Sequence, residues 1–383
     1  MNPEGRDEAV RETEAWFVRR GLPFFVEGRR LDVNALVHGR SLAVLVLVYF
    51  GSLLLAVPGD EPWTIRLAFA GIGLGLLLAV WAVTNLIRHR RAMERPRRVG
   101  LVELAVFVFG PAGVVLALRR DGDMALGTLL ADATVLGLVA AVEILDVGPI
   151  ARWAVARTFQ ELGSLFPLVT RALPMLLLFT TFLFINTEVW QVASSLSRPV
   201  LWLAVAFFGA LAVGFLLGRL PEEVAAVNDG MGQDVVARAL PGTPLEGLEP
   251  ALGEVSPAPL TRRQRVNLLL VLLIAQIAQV VLLATAVWMF FLVFGRVAIS
   301  EGVIRSWVGE PAPSPPLLGR LGFSNELLQV SIFLAAFSGL YFTVYAVTDA
   351  TYREQFFTEI SSELETAVGV RAAYLALRGG QAS

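Results

Sequence analysis

The chain has 383 residues, of which 56% are hydrophobic and 17% charged, against roughly 45 to 50% and about 25% in soluble globular proteins. All 31 basic residues are arginine, the formal net charge is -2, cysteine is absent, and the only histidines are His38 and His89. This excludes an ordinary soluble domain, lysine and thiol chemistry, disulfides and cysteine metal sites, and it leaves little for a histidine relay or a zinc centre. No catalytic residue, metal, cofactor or nucleic-acid partner is expected.

Residues 1 to 35 hold no apolar core of signal-peptide length, so no cleaved targeting segment is expected. Crossing the roughly 30 Å core of a bilayer takes about 17 to 25 apolar residues at about 1.5 Å each. Eight runs meet that length, and they pair into four hairpins. The first is Ser41 to Val57 and Leu67 to Ile87, joined by Pro58-Gly-Asp-Glu-Pro62. Val99 to Leu118 and Met124 to Leu145 form the second, across Arg119-Arg-Asp-Gly-Asp123. Ala172 to Ala193 with Pro199 to Gly218 form the third, and Val266 to Phe294 with Gln329 to Thr348 the fourth. The expected fold is all-α, a polytopic membrane protein with eight transmembrane helices and cytoplasmic amphipathic helices.

Short arginine-rich loops stay in the cytoplasm. With the N-terminus inside, the inner segments hold 24 of the 31 arginines: seven before the first span, six between Arg88 and Arg98, three in 146–171, five in 219–265 and three after Thr348. Both termini are therefore expected inside a bacterial plasma membrane. The division that follows is a cytoplasmic N-terminal segment (1–40), six spans (41–218), a cytoplasmic loop (219–265), two spans (266–348) and a cytoplasmic C-terminal helix (349–383). Trp63, Trp190 and Trp202 fall at outer interfaces and Trp153 near an inner one, whereas Trp81 and Trp288 sit deeper as packing residues.

The stretch Asp7 to Arg20 reads as a helix stopped by Gly21 and Pro23; Val10, Trp16 and Phe17 give it an apolar side that places it on the membrane surface. In the inner loop a short helix is expected over Glu222 to Ala239, followed by a Pro/Gly-rich linker. After the last span, Tyr352, Phe356, Ile360, Leu364 and Val368 recur every four residues and make one helical stripe, a candidate surface for a membrane or cytoplasmic protein partner. Gly71 with Gly75, and Ala210, Gly214 and Gly218, have the spacing of close helix packing.

An ionisable side chain inside a bilayer marks function by default, so depth decides which acids count. Glu103 lies about 6 Å from the inner end of its span, Glu143 is near the inner end of the next, and Glu188 is about 24 Å along the fifth, at the outer rim. Asp132 lies about 12 Å from the outer end of the fourth span, close to the midplane, with Glu143 three turns further on. A carboxylate there must protonate, find hydroxyl or amide donors, or hold a cation. Thr134, and Gln276 with Gln279 on the seventh span, are the candidate partners. Pro111 in Phe109-Gly-Pro-Ala-Gly113 frees the carbonyl of Phe107 within its span, a break that transporters use for midplane sites.

Three stretches carry a family resemblance: Arg171 to Phe179 running on to Asn186-Thr-Glu-Val-Trp190, Thr261-Arg-Arg-Gln-Arg-Val-Asn267, and Phe333 to Tyr341 running on to Thr348-Asp-Ala-Thr-Tyr-Arg-Glu354. They resemble an actinobacterial-type family of multi-spanning integral membrane proteins of unknown function. The resemblance implies a membrane class and a bacterial setting and brings no catalytic or binding residue with it. Function is expected to be transport or ion conduction through the polar region near Asp132. The alternative is a non-transporting membrane scaffold or regulatory subunit acting through the cytoplasmic helices.

Overall fold

A computed structural model describes residues 3–28, 62–87, 101–160, 176–229, 233–248, 259–309, 322–348 and 350–379, with single positions between 45 and 53 and at 89, 91 and 255. Every regular element among them is helical. In chain order these are α1 (Pro3–Arg19), a 3-10 turn (Pro23–Phe25), α2 (Trp63–Ile87), α3 (Leu101–Arg119), α4 (Gly122–Ile144) and α5 (Val147–Gln160). There follow α6 (Leu176–Phe184), α7 (Thr187–Ser195), α8 (Arg198–Asp229), α9 (Gln233–Ala239), α10 (Arg262–Ala298), α11 (Glu301–Val308), α12 (Asn325–Thr348) and α13 (Ala350–Gly379). The chain divides into two units, Gly28–Gly148 and Met1–Glu27 with Pro149–Ser383.

Five helices are long and apolar enough to cross a membrane, and six if the bent pair α6 and α7 is one span. Most of the first expected run lies outside the described residues. The surface supports the membrane reading: Phe182, Leu178 and Val297 are more than 70% exposed, while Thr180, Gln276, Ser331 and Ser338 are fully buried. Apolar outside and polar inside suits a lipid solvent, in which backbone groups must be satisfied within helices.

In the smaller unit, only Arg120 and Asp121 separate α3 from α4. Arg120 takes a left-handed φ of 55° and Asp121 caps α4 by accepting from the Met124 amide at 3.0 Å, which satisfies one of the amides left free at a helix start. Helices α3 and α4 are joined by this short turn and pack on each other, and α3 runs continuously through Pro111.

The interruption falls elsewhere. The fifth run is a pair of helices bent by 76° at Ile185–Asn186, where one straight span was expected. Asn186 Oδ1 accepts from the amides of Glu188 at 2.7 Å and Val189 at 3.3 Å and so starts α7 afresh. Trp190, expected at an interface, is fully buried, and its indole N–H donates to the carbonyl of Phe184 at 2.6 Å. Phe184 stacks on Phe291 of α10 with centroids 4.7 Å apart. A carbonyl freed at the end of α6 is thus satisfied by the next helix and the elbow is locked into the core.

The elements expected in the cytoplasm depart from expectation in a second way. Helix α1 ends in a Schellman turn: the Leu22 amide reaches the Phe17 carbonyl at 2.9 Å, with Gly21 at φ +73°. Its apolar side is buried in protein, so it is not free to lie in lipid. Phe17 is fully buried between Phe25 and Tyr374, with ring centroids 5.5 and 5.8 Å away. The expected linker after α9 is likewise anchored, because Leu240 and Leu245 are buried in the core. Helix α8 passes Pro221 without stopping.

Helix α13 packs against α1, α8 and α9. Leu364 and Val368 are buried there, whereas the side chains of Tyr352, Phe356 and Ile360 lie outside the described residues. Glu363 meets Arg157 at 3.1 Å and Arg20 at 3.8 Å. The buried Tyr374 hydroxyl donates to Glu14 at 2.7 Å and accepts from Arg378 at 2.9 Å.

Burial pushes the Tyr374 phenol above its ordinary value, with the hydrogen bond and charge of Glu14 adding to the rise and the hydrogen bond from Arg378 opposing it. The unfolded chain then releases this proton first, so stability present below about pH 10 falls as the pH rises toward the folded value. Melting curves of the full chain in detergent should therefore drop more steeply above about pH 10 for wild type than for Tyr374→Phe, which has no proton to lose. Superimposable pH profiles would remove Tyr374 from the clasp between the chain ends.

Candidate functional site

Among its described residues the smaller unit buries two strongly polar side chains, Asn85 and Asp132, and only Asp132 is ionisable. Asp132 on α4 is 1% exposed, and its charge is within electrostatic reach of Tyr49. Tyr49 is fully buried and donates its hydroxyl to the Gly73 carbonyl of α2 at 3.1 Å. Its ring lies 6.0 Å from Phe107 of α3. A Cβ at Gly110 of α3 would stand 2.8 Å from the Tyr49 hydroxyl, and one at Gly73 would run into Leu53. A side chain at either position would have to displace Leu53 or Tyr49, so the two glycines let the backbones of α2 and α3 come up to the Tyr49 segment.

Gly73, Gly110 and Asp132 each lie near the middle of their helices, and Tyr49 is central in the first apolar run. The cluster is therefore at mid-depth, beside the Pro111 turn. Leu45, Leu53, Ala70 and Val114 complete its buried apolar surround. A carboxyl group in such surroundings can take up and release a proton or offer its oxygens to a small cation.

The other sequence candidates are dispersed. Glu143 is half-buried near the end of α4 and has an interaction partner. Glu103 is in the first turn of α3, with its side chain outside the described residues. Glu188 is exposed in the first turn of α7. Thr134 is exposed and spends its hydroxyl on the Leu130 carbonyl at 2.7 Å. Gln276 and Gln279 belong to the larger unit. Both are buried on α10, and neither amide atom of Gln276 has a hydrogen-bond partner among the described residues.

Tyr49 is the residue that sequence reasoning missed. Its signal was its isolation, since it is the only tyrosine before residue 341 and sits inside an apolar run. The small-residue stripes were misassigned as well. Gly71, Gly75, Gly214 and Gly218 are exposed with nothing near their would-be Cβ atoms, and the close approach is made by Gly73 and Gly110. Among the described residues no three His, Cys, Asp or Glu side chains gather as a metal site. No family model matches the chain, and neither a curated protein nor a solved structure matches it.

Proposed function

We propose that the protein is a multi-pass transporter or conductor of protons or small cations in a bacterial plasma membrane, working through Asp132. The observation that carries this reading is a carboxyl group 1% exposed at mid-helix, within electrostatic reach of the buried Tyr49, in a chain whose helices expose apolar faces. Asp132 would alternate between acid and carboxylate, or between two cation-bound states, while Tyr49, held by Gly73, supplies an oriented phenol dipole. The decisive experiment is flux: purified protein in liposomes carrying a pH-sensitive dye, challenged with a proton or cation gradient. Gradients that decay no faster than in empty liposomes, for every ion tested, remove the proposal.

The eight-span topology with both termini cytoplasmic belongs to the same reading. The chain has no native cysteine, so single cysteines report on sidedness directly. Gly122→Cys and Gly242→Cys both fall at exposed positions. In intact cells an impermeant maleimide should label position 122 and spare position 242; the reverse pattern inverts the topology.

A second reading, a non-transporting scaffold or regulatory subunit, is favoured by the cytoplasmic body built from both ends of the chain. With Leu364 spent inside that body, Tyr352, Phe356 and Ile360 are the residues left to face a protein partner. Serine at these three positions should then abolish partner recovery without changing ion flux.

A further inference from the structure

We infer that the seam between α6, α10 and α12 in the larger unit is a binding site for a row of internal water, separate from Asp132 and independent of the reading above. Gln276 and Gln279 of α10 and Ser331 and Ser338 of α12 are all buried. Among the described residues no hydrogen-bond partner meets either amide atom of Gln276, the Oε1 of Gln279 or either serine hydroxyl. Buried polar side chains are as a rule satisfied, by protein or by ordered water.

The helices turn these groups toward one another. Gln276 and Phe294 are separated by about five helical turns and share a face of α10, and Phe294 meets Phe184 of α6 with ring centroids 5.8 Å apart. Gln279, three residues on, points broadly the same way. On α12, Ser331, Leu334, Ser338 and Tyr341 recur at helical spacing, and Tyr341 stacks on Phe179 of α6 with centroids 5.7 Å apart. Helices α10 and α12 are antiparallel: a Cβ at Gly339 would lie 3.3 Å from Val280 and 3.5 Å from Ala284, and one at Gly295 would run into Leu327. That register puts Ser338 about 6 Å beyond Gln279 along α10 and Ser331 about 10.5 Å further, so the row runs about 21 Å from Gln276. Thr180, fully buried on α6, falls within the same stretch, because Phe179 and Phe184 on either side of it meet Tyr341 and Phe291. Its hydroxyl donates to the Leu176 carbonyl at 2.7 Å, which leaves its oxygen able to accept.

The chemistry of the row selects water. Gln276 offers donors and an acceptor, Gln279 an acceptor, and each serine hydroxyl both. A cation would use the oxygens alone and leave the Gln276 N–H groups unpaired, and an anion would do the reverse, whereas water donates and accepts. One bridging water spans about 5.5 Å between two polar atoms and each further water adds about 2.8 Å, which matches the steps of the row. Room comes from α12, where Ser331, Ala335 and Ser338 share one buried face and are all small. Beyond Gln276 the buried side chains of α10 are Leu272 and Leu268, and at the Ser331 end Phe184 stacks on Phe291. The row therefore ends on apolar residues in both directions and is enclosed within the unit.

X-ray radiolysis reads such water directly, because it turns a bound water into a hydroxyl radical that oxidises the side chain beside it. Leu283, one turn from Gln279, and Leu334, between the two serines, adjoin the row, while Leu216 and Leu220 of α8 are buried leucines that do not. In the full chain in detergent, mass spectrometry should find Leu283 and Leu334 oxidised at least tenfold faster than Leu216 and Leu220. Gln276→Met combined with Ser338→Ala keeps the shape of the seam and removes its polar atoms, and should lower both rates tenfold or more. Ser338→Ala alone takes away a single oxygen and should lower the Leu334 rate threefold or more in a protein that still folds. Leu283 and Leu334 oxidised no faster than the α8 leucines, or a Leu334 rate unmoved by Ser338→Ala, overturns the site.

Discussion

Asp132→Asn should abolish proton- or cation-coupled flux in liposomes while the melting temperature of the protein stays close to that of wild type. Asparagine preserves the shape and the hydrogen-bonding capacity of the carboxyl group but cannot change its charge state. Packing around Tyr49, Gly73 and Gly110 should therefore survive, and only the ability to load and release an ion should go. Asp132→Leu is the complementary variant. An alkyl group fills the space but leaves buried polar neighbours without a partner, at a cost of about 1 to 3 kcal/mol, so this variant should melt earlier as well as fail in transport. An Asn variant that carries wild-type flux would reduce Asp132 to a hydrogen-bonding residue and shift the balance toward the scaffold reading.

Trp190→Ala should be the most destabilising single substitution in the larger unit. Truncating a fully buried large aromatic costs about 3 to 5 kcal/mol. Here the indole also supports Phe184, with centroids 5.5 Å apart, and satisfies the Phe184 carbonyl at the elbow. Trp190→Phe separates the two roles: the ring stays while the buried carbonyl loses its donor, for about 1 to 3 kcal/mol. Denaturant or thermal melting in detergent should rank wild type above Phe and Phe above Ala. A Phe variant as stable as wild type would mean the indole N–H does not hold the bend, and an Ala variant as stable as wild type would mean the elbow needs no lock.

The long spans were legible because α8, α10 and α12 are uninterrupted apolar runs whose length alone identifies them. The elbow was harder to read. Asn186-Thr-Glu188 has the pattern of a helix start, with a capping amide followed by an early acid, but apolar residues on both sides hide it in a run of spanning length. Trp190 misled for a related reason: tryptophan suits a membrane interface and a buried core equally well, and only its partner, a carbonyl six residues back in the chain, decides between them. At the two ends of the chain, hydrophobic periodicity identified the buried faces of α1 and α13. It could not say that each covers the other, since a stripe names no partner.

At the candidate site, depth arithmetic alone singled out Asp132. Tyr49 stayed hidden because its hydroxyl is one polar atom on an apolar ring, and because its acceptor, the Gly73 carbonyl, is a backbone group that no side-chain pattern marks. The proposed partners Gln276 and Gln279 were chosen by amide chemistry without knowledge of which unit they belong to. Gly73 was passed over since a spacing rule selects residues four apart, whereas the close approach depends on which single glycine faces Tyr49.

Helix α10 has no proline, and its one glycine, Gly295, is pinned between Leu327 and Phe184. Its start is fixed by a capping box between Thr261 and Gln264. Near that start Asn267 grips the N-terminal turn, donating to the Gly21 carbonyl at 3.0 Å and accepting from the Phe24 amide at 3.3 Å. Near the other end, about 43 Å away at 1.5 Å per residue, is Arg296. Arg296 and the Asn267 that grips the Gly21–Phe24 turn are thus carried on one uninterrupted helix, and through Phe25 and Phe17 that turn reaches Tyr374 on α13.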